Sequence, residues 1–259
     1  MESFEQVAIL AAKKAGLLLK RRLGQKRRVN YKGAVNLVTE MDLFSEKLIV
    51  SEIRQRYPNH SFLAEEKTST QEKSPYRWII DPLDGTTNYA HGYPIFCVSL
   101  ALEKEGEVIL GAVYDPMRDE LFLGKKGKGA RLNGWKIHVS STAKLSQSLL
   151  ATGFPYDLRE SPVNNFDHFR NFALRVHAVR RAGSAALDLC YVAAGRFDGF
   201  WEIKLAPWDL AAGSLIVREA GGEATDFLGR RLGLDGKHVL ASNGKIHREM
   251  MRVLKLGRS

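Results

Sequence analysis

At 259 residues with 44% hydrophobic and 26% charged side chains, the chain can bury a sizeable core and is not a largely disordered polymer. No apolar run is long enough to span a bilayer, and acidic Glu2 and Glu5 with only "AGLLL" before a basic cluster do not make a secretory signal, so a cytoplasmic protein is expected. The net charge of +10 favours encounter with anionic substrates or a polyanion and carries no information about fold.

Apolar residues at helical spacing (Phe4, Val7, Ala8, Ala11, Leu18) predict a helix over residues 3–23 that runs out near Gly24, and "QKRRVNYKGAVN" after it reads as a loop. A second helix is expected just after Asp42, which can cap it, with Phe44, Leu48, Ile49 and Ile53 on one face and Pro58 beyond its end. "SFLA" and "YRWIID" read as buried strands. Residues 95–139 are β-rich, with "IFCVSLALEK", a turn at Glu105–Gly106, "EVILGAVYD" and the glycine-punctuated "ELFLGKKGKGARLNG". Farther on, the strands "SLLATG", "FDGFWEI" and "HVLASN" alternate with helices expected near 164–180, 184–195, 209–220 and 245–255, the pattern of an α/β layered unit. With no repeat or linker, 1–259 reads as one body, β-rich to about residue 145 and α/β from about 146. Cys97 and Cys190 lie in apolar runs without a CxxC or a neighbouring His, which predicts buried thiols rather than a disulfide, a zinc site or a nucleophile.

The chemistry concentrates in "YRWIIDPLDGTTN". Pro82 biases Asp81 toward an extended conformation at the strand's end, and Asp84 follows from the turn. Gly85 removes a side chain where phosphate could approach the backbone, and Thr86, Thr87 and Asn88 offer N–H groups at a helix start. A plain tight turn, with Asp-Gly as turn pair and Thr as cap, fits the same letters. Glu65 and Glu66 in "FLAEEK" are a solvated pair or a second acidic site; Asp209 in "PWDLAAGSLIVREAGG" is a helix cap or a ligand. Oxygen donors without clustered His or Cys favour Mg²⁺, or Mn²⁺, over zinc.

Together, "DPLDGTTNYAHGYP" and "WDLAAGSLIVREAGG" resemble the inositol monophosphatase family of Mg²⁺-dependent, lithium-sensitive phosphatases, and "NLVTEMD", "FLAEE", "GAVYDP", "KGKGARLNG" and "RRAGSAALDLCYVAAGRFDGFWE" extend the resemblance over nearly the whole chain. The resemblance implies an α/β fold, a five-layer αβαβα sandwich of the inositol monophosphatase and fructose-1,6-bisphosphatase type, and a homodimer. It implies two or three Mg²⁺ ions held by Glu65, Asp81, the Leu83 carbonyl, Asp84 and Asp209. A metal-bound water would be activated by Glu65 and Thr86, with Asp42 supporting Thr86. Phosphate would meet Gly85, Thr86 and Thr87; substrate hydroxyls would meet Gly183, Ser184, Ala185, Glu202 and Asp209. The expected substrate is a small phosphorylated polyol, myo-inositol monophosphate first. Fructose 1,6-bisphosphate, histidinol phosphate and a nucleotide 3′-phosphate are alternatives, with Arg180, Arg181 and Lys204 as candidates to face a second phosphate. Ala64 and Asn36 depart from the family's usual glycine and aspartate, and the loop around Lys32 is one residue shorter than in animal members. A different class of function, RNA or RNA polymerase binding, is implied by bacterial relatives and would use "KRRLGQKRR", residues 20–28.

Overall fold

A capping box opens helix α1 (Phe4–Arg22): the Ser3 side chain accepts from Gln6 N, and the Gln6 side chain returns to the Ser3 N–H. The computed structural model describes residues 2–24, 29–31, 37–70, 74–234 and 238–256, so Lys32, Asn36 and the basic residues at 26–28 lie outside the described residues. The expected loop after α1 instead supplies β1 (Val29–Tyr31), which pairs antiparallel with β2 (Leu37–Thr39). Leu37–Thr39 is a β-prone trio, Val29 and Tyr31 flank a strand-averse Asn30, and both strands are too short for periodicity to show.

Helix α2 (Glu40–Arg54) begins before Asp42, placing that residue inside the first turn rather than at the cap. Ile49 and Ile53 are buried as expected, whereas Phe44 points outward and is 54% exposed. Strands β3 (Ser61–Ala64) and β4 (Tyr76–Asp84) pair in parallel and lead into α3 (Thr86–Ala90). An antiparallel meander continues the sheet through β5 (Cys97–Lys104), β6 (Glu107–Asp115), β7 (Glu120–Lys125), β8 (Gly129–Leu132) and β9 (Trp135–Lys136), seven strands in the order β3 to β9. The expected Glu105–Gly106 turn joins β5 to β6, both residues at positive φ (51° and 85°) as a tight primed hairpin requires.

The second sheet holds β10 (Leu149–Thr152), β11 (Ala178–Arg180), β12 (Gly199–Ile203), β13 (Glu223–Thr225) and β14 (His238–Ser242), in the order β11-β10-β12-β14-β13. Between these strands run α4 (Phe166–Ala173), α5 (Ala185–Ala193), α6 (Pro207–Glu219) and α7 (His247–Leu254). The helix expected over 164–180 stops at Ala173 because 178–180 is drawn into the sheet as β11, parallel to β10.

Strand alternation sorts the apolar residues into three cores. On β4, Trp78 and Ile80 face the core of α1 and α2, while Ile79 faces the core built on α5 and α6. On β12, Phe200 joins the α5–α6 core and Trp201 packs with Phe172 of α4 and Met250 of α7. The layers are therefore α1 and α2, the seven-stranded sheet, α5 and α6, the five-stranded sheet, then α4 and α7. Every residue of α5 is buried, as a helix covered by a sheet on both sides demands. Close docking of α6 needs small residues: a Cβ on Gly111 of β6 would lie 2.8 Å from the Ala212 carbonyl oxygen, and one on Gly124 of β7 would lie 3.0 Å from the Ile216 Cα.

Candidate active site

Pro82 has no N–H to give the ladder, and the β4–β5 register slips there, with Asp81 opposite Ser99 but Asp84 opposite Cys97. The resulting bulge places two carboxylates at one strand end. Asp81 is buried and its Oδ1 accepts from Leu83 N at 2.9 Å. Asp84 reaches α5, where its Oδ2 accepts from Ser184 Oγ at 2.6 Å and Ala186 N at 2.8 Å. Gly85 follows at φ 95°, where a Cβ would meet the Ile95 carbonyl oxygen at 2.8 Å, so any other residue there is both strained and crowded. Asn88 ties this loop to the Gly183 turn, donating through Nδ2 to the carbonyls of Ile95 and Ala182, each at 2.8 Å.

Helix α2 supports the site from behind with residues one turn apart. Asp42 Oδ1 accepts from Thr86 Oγ1 at 3.0 Å, the hydroxyl also lying 3.0 Å from the Leu83 carbonyl. Ser45 Oγ donates to the Pro82 carbonyl at 2.7 Å. Glu46, buried, accepts from the N–H groups of Glu66 and Thr68 at 2.9 Å and from Thr68 Oγ1 at 2.8 Å, clasping the loop that carries Glu65. Glu46 was not among the residues singled out from sequence. Its only cue was a carboxylate on the apolar face of α2, three residues before Ile49.

Asp209 sits at the third position of α6, with Ala206 as the cap residue, and its Oδ2 accepts from Ala206 N at 2.7 Å. The capping expectation is thus corrected to the returning half of a capping arrangement. Gly183 and Ser184 form the turn into α5, Ala185 is its first residue, and Glu202 comes from the end of β12. These groups line one cleft with Thr87, Asn88, Gly153, Phe154, Tyr156, Arg181, Asp188 and Leu205. Of the cations expected near a second phosphate, Arg181 lines the cleft. Lys204 is instead held by Asp157 at 2.6 Å and Ser161 at 2.7 Å, and Arg180 is exposed and bonded to the Val179 carbonyl. Both cysteines are buried and unpaired, Cys97 with its sulfur 3.8 Å from Asp84 Oδ2.

The carboxylates disturb one another. Burial, then the charges of Glu65, Asp84 and Asp209, push Asp81 well above the usual carboxylate range. Burial and Asp84 raise Asp209 to about 7, against the help of the Ala206 N–H. Burial raises Asp84 as well, although Ser184, Ala186, Ala185 and Cys97 all favour its anion. Glu202 is pushed up by burial and by Asp188, Asp209 and Asp84, with Arg181 opposing.

Among the described residues no three His, Cys, Asp or Glu side chains close on a common point as a finished metal cage. The donor chemistry nevertheless fits a hard cation: Asp84 and Asp209 line the cleft, buried Asp81 lies close enough to feel both charges, and a cation would offset the burial and repulsion that raise these carboxyls. The cleft wall sets Asp84, Asp188, Glu202 and Asp209 against Arg181 alone.

The family model for the inositol monophosphatase family matches residues 1–256. An inositol-1-monophosphatase of Mesorhizobium japonicum is 43% identical over 96% of this chain and 95% of its own length. The protein named Nus factor SuhB in Pseudomonas aeruginosa is 41% identical over 98% and 97%. The solved inositol monophosphatase of Anabaena superposes with a TM-score of 0.89 at 45% identity, covering 97% of this chain and 94% of that one. The chain belongs to the inositol monophosphatase family and is, with it, a hydrolase of phosphomonoesters.

Proposed function

We propose that the protein hydrolyses myo-inositol monophosphate to inositol and phosphate with Mg²⁺, replaceable by Mn²⁺, held by Glu65, Asp81, the Leu83 carbonyl, Asp84 and Asp209. The observation that carries this reading is the charge of the cleft: four lining carboxylates and one arginine cannot receive a phosphate dianion unless divalent cations intervene. Bound there, Mg²⁺ would neutralise the phosphate and acidify a water.

The protein's own groups do the placing. Asp42, a stronger acceptor than the Leu83 carbonyl, orients the Thr86 hydroxyl so that its lone pairs face the cleft and can take a proton from water alongside Glu65. The backbone of Gly85, Thr86 and Thr87 receives the phosphate oxygens. Glu202 takes hydroxyls of the leaving polyol, with Gly183, Ser184 and Ala185 shaping the wall beside it. Two or three metal ions, lithium sensitivity, a cytoplasmic homodimer and a single folding body over 1–259 complete the reading. No described helix is long and apolar enough to cross a membrane.

Phosphate release from inositol 1-phosphate, fructose 1,6-bisphosphate, histidinol phosphate and adenosine 3′,5′-bisphosphate, with Mg²⁺ and with or without Li⁺, tests it. Inositol 1-phosphate should be the best substrate, and Asp84→Asn should lower turnover on all four by roughly a thousandfold or more. Normal turnover and Mg²⁺ affinity in that variant would remove the site assignment.

A second reading, RNA or RNA polymerase binding, is favoured by the relative named Nus factor SuhB. Lys20, Arg21 and Arg22 close α1 and lead into the basic segment that ends at residue 28. Binding to RNA that survives moderate salt and is lost when Arg21, Arg22, Arg27 and Arg28 are neutralised would support it.

A further inference from the structure

Asp188 lies in the middle of α5, the helix covered by a sheet on both sides, where Leu187, Leu189 and Cys190 around it are fully buried. It is itself 1% exposed, and its Oδ1 has no hydrogen-bond partner. A buried acceptor left without a donor is destabilising, so stability alone would favour an apolar residue at this place. The side chain nevertheless lines the cleft, beside Glu202. Glu202 is 9% exposed, its carboxylate makes no hydrogen bond among the described residues, and it packs against Gly153, where a Cβ would fall 2.0 Å from its Oε1.

We propose that Asp188 is a substrate-selecting residue, pairing with Glu202 in a second carboxylate site, distinct from the acidic loop, that takes adjacent hydroxyls of the leaving alcohol and rejects a second anionic group. Two acceptors without donors of their own match two hydroxyl donors on neighbouring carbons. An ammonium group fits less well, because the Arg181 guanidinium lines the same cleft and already favours both anions.

The inference rests on the phosphatase reading. Its test uses the full chain loaded with Mg²⁺, the variants Asp188→Ala and Asp188→Asn, and three substrates: inositol 1-phosphate, phenyl phosphate, whose leaving group has no further hydroxyl, and fructose 1,6-bisphosphate. In Asp188→Ala the ratio of kcat/KM for inositol 1-phosphate to that for phenyl phosphate should fall roughly tenfold, chiefly through KM. Asp188→Asn keeps the shape and removes the charge, so the ratio of bisphosphate to inositol 1-phosphate use should rise severalfold, and this variant stands alone if the alanine protein does not fold. Ratios within twofold of wild type in folded variants overturn the proposal, since structural damage lowers all substrates together. A wild-type protein that releases phosphate from none of the three removes the phosphatase reading itself, a different result from unchanged ratios in an active enzyme.

Discussion

Glu202 and Glu46 are both buried glutamates with opposite uses: one keeps its oxygens for the cleft, the other spends them on three backbone N–H groups and a hydroxyl. Glu202→Gln retains volume and loses charge. It should lower kcat/KM for inositol 1-phosphate about tenfold and for fructose 1,6-bisphosphate by less; an equal loss on both would remove Glu202 as a selector. Asp81, Asp84 and Gly85 were legible in the sequence because their geometry is local: an X-Pro step, a turn pair and a glycine at positive φ are written within five residues. Asp188 was not legible, because on the line it is one polar letter in an apolar helix. Only the fold shows that it lines the same cleft as Glu202.

Helix α2 is the element on which the site depends without lining its cleft. Asp42, Ser45 and Glu46 project from one face and fix two segments, the β4–α3 junction at Pro82 and Thr86 and the loop at residues 66–68. Glu46→Ala should leave the helix folded and free the loop carrying Glu65. The Mg²⁺ concentration for half-maximal activity should then rise about 10- to 100-fold, with most of the turnover recovered at saturating metal; an unchanged metal requirement would show that the clasp does not position Glu65. The elements themselves were largely readable, since the helices and buried strands carry strong periodicity. The misses have physical causes: β1, β2, β11 and β13 have three residues each, too few to display alternation, and are held by partners elsewhere in the chain.

Across the whole molecule, crowded carboxylates make stability depend on pH with an unusual sign. Asp209 is raised to about 7 from 3.8, and Asp81 and Asp84 are raised too. Between the unfolded value near 3.8 and the folded value near 7 the folded metal-free protein holds a proton that the unfolded chain releases, so stability falls as pH rises through that window. For Asp209 alone the loss is on the order of 4 kcal/mol at most. Mg²⁺ should cancel this penalty, raising Tm more at pH 8 than at pH 5 by several degrees, at roughly 2–4 °C per kcal/mol for a chain of this size; equal shifts at the two pH values would argue against a carboxylate cage. The order of the five layers was not in the strands and came only with the family resemblance, because alternation shows that both faces of a sheet are covered and not by which helix. The middle layer of α5 and α6 is shared by both sheets, and it brings Ser184 and Asp209 to the strand end that carries Asp81 and Asp84. A cation held at that junction would add a charged tie between the two sheets to the hydrogen bonds that Asp84 makes with Ser184 and Ala186 and to the Arg231–Glu107 ion pair. Amide hydrogen exchange in β12 and β14, more than one layer removed from Asp81, should slow together with that of β4 and β5 when Mg²⁺ is added, as parts of one opening unit.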